Sequence, residues 1–160
     1  MCRVFNLYVA YTSYNVLLSF AIAASHPDDD NFMILAGNTH SLVKITETLL
    51  DIVPANNMRY FSFKKSKGRC NLSSFFVKKH NLQILEDKVR SFPRIDRIFY
   101  GCEWSVYTTY AVHLVQAINP EADFLFLDDG IFTYANAKLT LKNYIERIAD
   151  KFLWRMAYQY

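Results

Sequence analysis

Two adjacent carboxylates, Asp128 and Asp129, follow the apolar run Phe124-Leu125-Phe126-Leu127 and are followed at once by Gly130. Neighbouring acids repel, so one stays ionised while the other moves toward the range of a general base. Glycine beside them lets the backbone turn sharply and lets a substrate come close. Asp-Gly is also a common turn dipeptide; placement at the end of an apolar strand is what favours chemistry over a solvated turn.

Three other short segments carry polar groups at the ends of apolar runs: Thr12-Ser13-Tyr14-Asn15, Gly37-Asn38-Thr39-His40, and Glu103. The second has the form of a strand end opening onto a helix N-terminus, which can hold a phosphate or a sugar hydroxyl. It lacks both GxGxxG and GxxxxGK[ST], so neither a dinucleotide nor a P-loop nucleotide is indicated. Each segment also has an ordinary structural role to fill: helix capping for Thr12 to Asn15, turn and cap for Gly37 to Thr39, a first-turn acid for Glu103. His113 falls mid-helix, where a packed or surface histidine is expected. No His, Cys or acid cluster has metal-ligand spacing, no Ser-His-Asp set assembles, and no cofactor is expected. Lys64, Lys65, Lys67 and Arg69 form one dense basic loop, suited to an acidic glycan, a phosphate or an anionic membrane surface if it is more than a solvated loop. Asp28 to Asp30 reads as a charged surface turn.

The elements that must position these groups follow from periodicity. Apolar strands are expected at 6–12, 31–37, 58–64, 95–101 and 122–127, and amphipathic helices at 14–26, 40–53, from about Ser73 to Ser91, and 104–118. Leu42, Ile45, Leu49 and Ile52 should form one face of the second helix, and Val106, Tyr110, Leu114 and Ala117 one face of the fourth. From Asn136 the chain reads as helical, with Leu141, Ile145, Ile148, Phe152 and Met156 in register. Strand and helix alternating five times, with near-continuous apolar strands, predicts an α/β domain: a Rossmann-like parallel sheet of about five strands with helices on both faces. Ligands of such sheets bind at the carboxyl ends of the strands, where the loops after Thr12, Gly37 and Leu127 should converge.

Length and composition agree. At 160 residues and 52% hydrophobic, the chain can bury one sizeable core, and its net charge of +3 is too small to argue for nucleic acid. Cys2, Cys70 and Cys102 form no CxxC pair, which argues against a disulfide framework and for a reducing, cytoplasmic compartment. The apolar N-terminus ends in small residues like a signal peptide, but polar Asn6 and Thr12 to Asn15 divide it into a strand and a helix.

In pattern the chain resembles the N-terminal half of bacterial sialyltransferases and polysialyltransferases of the GT-B type, nearest to glycosyltransferase family 52. "LDDGIFTY" resembles their acidic D/E-D/E-G motif, and "NLYVAYTSYNVLLSFAIA" their first strand, polar turn and first helix; the resemblance runs from about residue 4 to 135. It implies metal-free, inverting transfer of sialic acid from CMP-sialic acid to an acceptor sugar hydroxyl of a cell-surface glycan. It also implies Asp128 as general base, Asp129 as an orienting group and Gly130 as the loop former. Thr12, Ser13, Tyr14, Asn15, Gly37, Asn38, Thr39 and Glu103 are the candidate substrate-binding residues. One departure stands out: the family's His-Pro motif lies in a second, donor-binding domain, whereas His26-Pro27 here ends the first helix. The expectation is therefore an acceptor-side domain over 1–135 with a terminal helix over 136–160. That helix is expected to expose apolar residues for self-association, the chain alone to be inactive, and the basic loop to lie near the inner membrane. Two alternatives stay open: a non-catalytic module that binds a sugar or a partner, and a small nucleotide-binding enzyme of Rossmann-like fold.

Overall fold

The apolar runs become five strands, β1 (Phe5–Ala10), β2 (Asp30–Leu35), β3 (Met58–Ser62), β4 (Arg97–Tyr100) and β5 (Asp123–Phe126). The segments between them become α1 (Ser13–Ser25), α2 (Thr39–Ile52), α3 (Leu72–Arg90) and α4 (Val106–Ile118). The structure is a computed structural model that describes residues 3–37, 39–53, 58–63, 72–101, 105–127 and 148. The expected Rossmann-like α/β arrangement is present. All four strand pairs are parallel, and the spatial order is β3-β2-β1-β4-β5. Each parallel pairing requires a crossover, which the helices supply. The chain builds outward from β1 to β3, then returns to the other side of β1 to lay down β4 and β5. That reversal makes the β1/β4 junction the topological switch point, where open α/β sheets form their binding crevices.

Alternation along the strands divides the core into two layers. Tyr8, Ala10, Met33, Leu35 and Phe99 meet Val16, Phe20 and Ala23 of α1 and Leu42 of α2. Leu7, Val9, Phe32, Ile34 and Ile98 meet Leu82, Leu85 and Val89 of α3 and Tyr110, Ala111, Leu114 and Val115 of α4. β1 is central, and Leu7, Tyr8, Val9 and Ala10 are all fully buried, as a strand covered on both faces requires. β5 departs from that expectation: Leu125 and Phe126 are exposed despite an apolar sequence.

Two helix faces sit differently from their expected stripes. Ile52 is 70% exposed, because the buried stripe of α2 centres on Leu42 and Thr46 and leaves the last residue at its margin. In α4 the buried stripe centres on Ala111 and Leu114, so Val106 is only half-buried and Ala117 is exposed. Among the described residues, no helix is long and apolar enough to cross a membrane.

A row of polar residues crosses the amino-terminal end of the sheet. Asn6 pairs in register with Asn31 on one side and Arg97 on the other, and Arg97 pairs with Asp123. Asn6 Nδ2 donates to Asn31 Oδ1 and to Asp29 Oδ2, both at 3.1 Å, and the Tyr8 hydroxyl donates to Asn31 Oδ1 at 3.0 Å. Burial, ahead of the nearby Asp29 carboxylate, pushes the Tyr8 hydroxyl well above the usual tyrosine range. The expected Asp28–Asp30 surface turn is thus only part surface: Asp28 is exposed, but Asp29 is half-buried and faces Arg97 at 3.7 Å. Asp30 opens β2, where Arg3 pairs with it at 3.7 Å.

Candidate functional site at the sheet switch point

The carboxyl ends of the strands meet at one edge. Ala36 N–H donates to the Ala10 carbonyl at 2.8 Å, and Leu127 N–H to the Tyr100 carbonyl at 2.7 Å, so the strands leave the sheet level with one another. Between β1 and α1 the turn is short. Thr12 is extended (φ −116°, ψ 162°) and its hydroxyl accepts the Asn15 N–H at 3.1 Å. Asn15 Oδ1 accepts in return from Thr12 N–H at 3.1 Å and from Tyr11 N–H at 3.3 Å. This is a capping box with asparagine in the third helical position, where Glu or Gln is commoner. Ser19 Oγ adds a bond to the Asn15 carbonyl at 2.7 Å.

Two glycines grip that turn from opposite sides. A Cβ on Gly37, just beyond β2, would lie 1.9 Å from the Tyr11 carbonyl oxygen. A Cβ on Gly101, just beyond β4, would lie 2.5 Å from Asn15 Nδ2 and 2.8 Å from both Cγ and Oδ1. Only a hydrogen atom fits at either place, so each glycine is required by close approach of a neighbouring segment.

The polar groups at this edge are not all satisfied. Asn15 is fully buried, and the face of its amide lies against Gly101 while Oδ1 is taken by two N–H donors. That Nδ2 has no hydrogen-bond partner among the described residues. α4, which leaves β4 at the same edge, is capped by Ser105, whose hydroxyl accepts from Thr108 N–H at 3.4 Å. Thr108 is 1% exposed, and its hydroxyl likewise has no partner among the described residues. The first turns of α1 and α4 contain no acidic residue to offset the partial positive charge of a helix N-terminus.

The candidate residues are distributed unevenly over this geometry. Thr12 and Asn15 hold the turn together, Ser13 and Tyr14 are exposed as the first two residues of α1, and Gly37 seats Tyr11. Thr39 opens α2, and His40 is exposed beside it. Asn38, Glu103, Asp128, Asp129 and Gly130 lie outside the described residues, as do Lys64, Lys65, Lys67 and Arg69 and all of 136–160 except Ile148, which is helical and exposed. His113 is exposed on α4. His26 caps the end of α1, at the opposite edge of the sheet from Tyr11. Sequence reasoning passed over Gly101 and Thr108. A glycine closing an apolar strand before a helix was the available signal for Gly101; nothing in the sequence marks Thr108. Among the described residues no three His, Cys, Asp or Glu are grouped to hold a metal ion.

Comparison with family models, with curated proteins and with solved structures finds no match to this chain.

Proposed function

We propose that the chain is the acceptor-side domain of a glycosyltransferase of sialyltransferase type, with Asp128 as the general base for the acceptor hydroxyl. The observation that carries this reading is the parallel pairing of β5 with β4, which brings Leu127 to the same edge as Tyr11, Gly37 and Gly101. Asp128 is one peptide bond further on. An acceptor sugar lying over the β1/β4 junction would have the capped turn Tyr11–Asn15 on one side and the carboxyl end of β5 on the other. The base would take the hydroxyl proton as the oxygen attacks the anomeric carbon of the donor and CMP leaves with the bonding electron pair. Chemistry of this kind needs a positioned carboxylate, not a metal.

The test is release of CMP from CMP-sialic acid with a galactose-terminated acceptor, measured on a gene product that also carries a donor-binding domain. Asp128→Asn should lower turnover by about 10²–10⁴-fold, the usual contribution of a positioned base, with donor affinity unchanged. Asp129→Asn should cost less, since an amide can still orient a hydroxyl. Full activity in Asp128→Asn would end the reading.

A further inference from the structure

We propose that the free edge of β5 is an interface: it pairs antiparallel with β5 of a second copy of this chain, about a two-fold axis at Leu125. The inference does not depend on the glycosyltransferase reading. It starts from main-chain groups. Asp123 N–H donates to the Asp96 carbonyl at 2.8 Å and Leu127 N–H to the Tyr100 carbonyl at 2.7 Å, so the odd-numbered residues of β5 turn toward β4. Peptide groups alternate along a strand, so the N–H and C=O groups of Phe124 and Phe126 turn outward. Among the described strands β5 pairs only with β4. A row of outward main-chain groups accepts another strand, and chains normally guard it with Lys, Pro or a bulge. The opposite edge strand, β3, carries the exposed cation Arg59; β5, Asp-Phe-Leu-Phe, has no cation, proline or glycine.

Side chains on both faces of β5 are open as well. Leu125, on the α1 side, is 40% exposed; Phe126, on the α4 side, is 41% exposed although it meets Tyr100 edge-on at 5.6 Å. Ile118, at the end of α4, continues the sheet-facing stripe of Ala111, Leu114 and Val115 and is nonetheless 37% exposed. A helix approaching one face would cover Leu125 or Phe126, whereas a strand at the edge adds side chains on both faces. Self-complementarity selects the occupant. Centred on Leu125, the pairing sets Leu125 against its own copy and Phe124 against Phe126 in both directions, so every outward N–H meets an outward carbonyl. Asp123 falls opposite Leu127. Centring on Asp123 would instead oppose two acids. Centring on Phe124 would set Phe126 against Ala122, whose N–H already donates to the Asn119 carbonyl at 3.0 Å.

Sedimentation equilibrium of the 160-residue chain should show reversible association from 18.7 kDa to twice that mass as concentration rises. The dimer should be weak, because one strand edge is smaller than a standard interface. Leu125→Lys and Leu125→Glu, each alone, should weaken it roughly 10–100-fold. Mixed in equal amounts the two variants should pair again, because this register sets the lysine against the glutamate. Phe126→Pro removes an outward N–H and no bond to β4, so it should dissociate the dimer further than Phe126→Ala. Leu17→Lys, on the exposed face of α1, should leave association unchanged. A chain monomeric at every concentration, growth beyond the dimer, a dimer indifferent to Leu125→Lys, or no recovery on mixing would overturn the proposal. So would a monomer whose Phe124 and Phe126 amides resist hydrogen exchange, since the edge would then be covered from within the chain. The wild-type mass and exchange decide the matter even where Phe126→Pro does not fold.

Discussion

Replacing Gly101 by alanine should damage a turn on a different strand. The added Cβ would sit 2.5–2.8 Å from three atoms of the Asn15 amide, closer than carbon can approach, and that amide is buried and short. The only relief is for Asn15 to withdraw, which breaks its bonds to Tyr11 N–H and Thr12 N–H. Losing that half of the capping box costs about 1 kcal/mol, and overpacking a filled site costs about 1–3 kcal/mol. Because Gly101 does not adopt the left-handed conformation, alanine recovers about 0.4–1 kcal/mol by restricting the unfolded chain. The net loss is about 1–3.5 kcal/mol, or roughly 2–14 °C in Tm for a domain of this size. Urea and thermal unfolding of Gly101→Ala, Asn15→Ala and the double variant measure it. If the clash is with Asn15, the double variant should lose less than the sum of the single ones by about 1 kcal/mol or more. Costs additive to within about 0.5 kcal/mol would show that Gly101 is required for another reason, and the account of a turn held between two glycines would fail.

Gly37→Ala should be worse than Gly101→Ala, because its Cβ would meet the Tyr11 main chain at 1.9 Å and a carbonyl cannot rotate away as a side chain can; equal melting temperatures for the two variants would refute this. Tyr8 is held protonated by burial, so its folded proton affinity exceeds its unfolded one, and the stability it contributes is full below about pH 10 and falls as pH rises above it. Tyr8→Phe should flatten that alkaline decline while costing about 0.5–1.5 kcal/mol at neutral pH for the lost bond to Asn31; an unchanged alkaline limb would assign the decline to other tyrosines. Leu42→Ala should cost about 2–5 kcal/mol and Ile52→Ser less than about 0.5 kcal/mol, reversing their equal standing in the sequence pattern; similar losses in urea unfolding would mean that the exposed end of α2 is misplaced.

The strands and helices were legible because their signals are local. Leu7 to Ala10 and Phe32 to Leu35 are unbroken apolar runs, and only a strand covered on both faces uses such a run. Thr12 was legible as a cap because capping requires only neighbours within one turn. Helix faces were less so. Ile52 continues the apolar period of α2 and is nonetheless exposed, because the period carries no record of where its packing partner stops. Gly101 and Asn15 were the hardest to read. Their relation joins residues 86 positions apart in the chain, and only the placement of β4 beside β1 brings glycine and amide into contact. Asn15 could be named as a polar residue near a strand end, but the direction of its spare N–H depends on Tyr11 and Thr12 taking the oxygen.

The polar row at the other end of the sheet helps to put that contact where it is. A strand alternates its faces, so a slip of one residue in β1 would carry Asn6 and Tyr8 from the α1 side into the apolar layer under α3 and α4. There Asn6 would lose Asn31 and Asp29, and Tyr8 would lose its acceptor, leaving several buried polar groups unpaired at about 1–3 kcal/mol each. Asn6, Asn31 and Arg97 therefore bias three neighbouring strands toward one register. That register is what sets Ala10 level with Leu35 and Val9 level with Tyr100 at the far edge. From Asn6 in the row to Tyr11 at the capped turn is five residues along β1, about 17 Å at the usual rise of a strand. A polar network at the opposite edge thus acts on the candidate site through strand register, by fixing which residues arrive together where the ligand would bind.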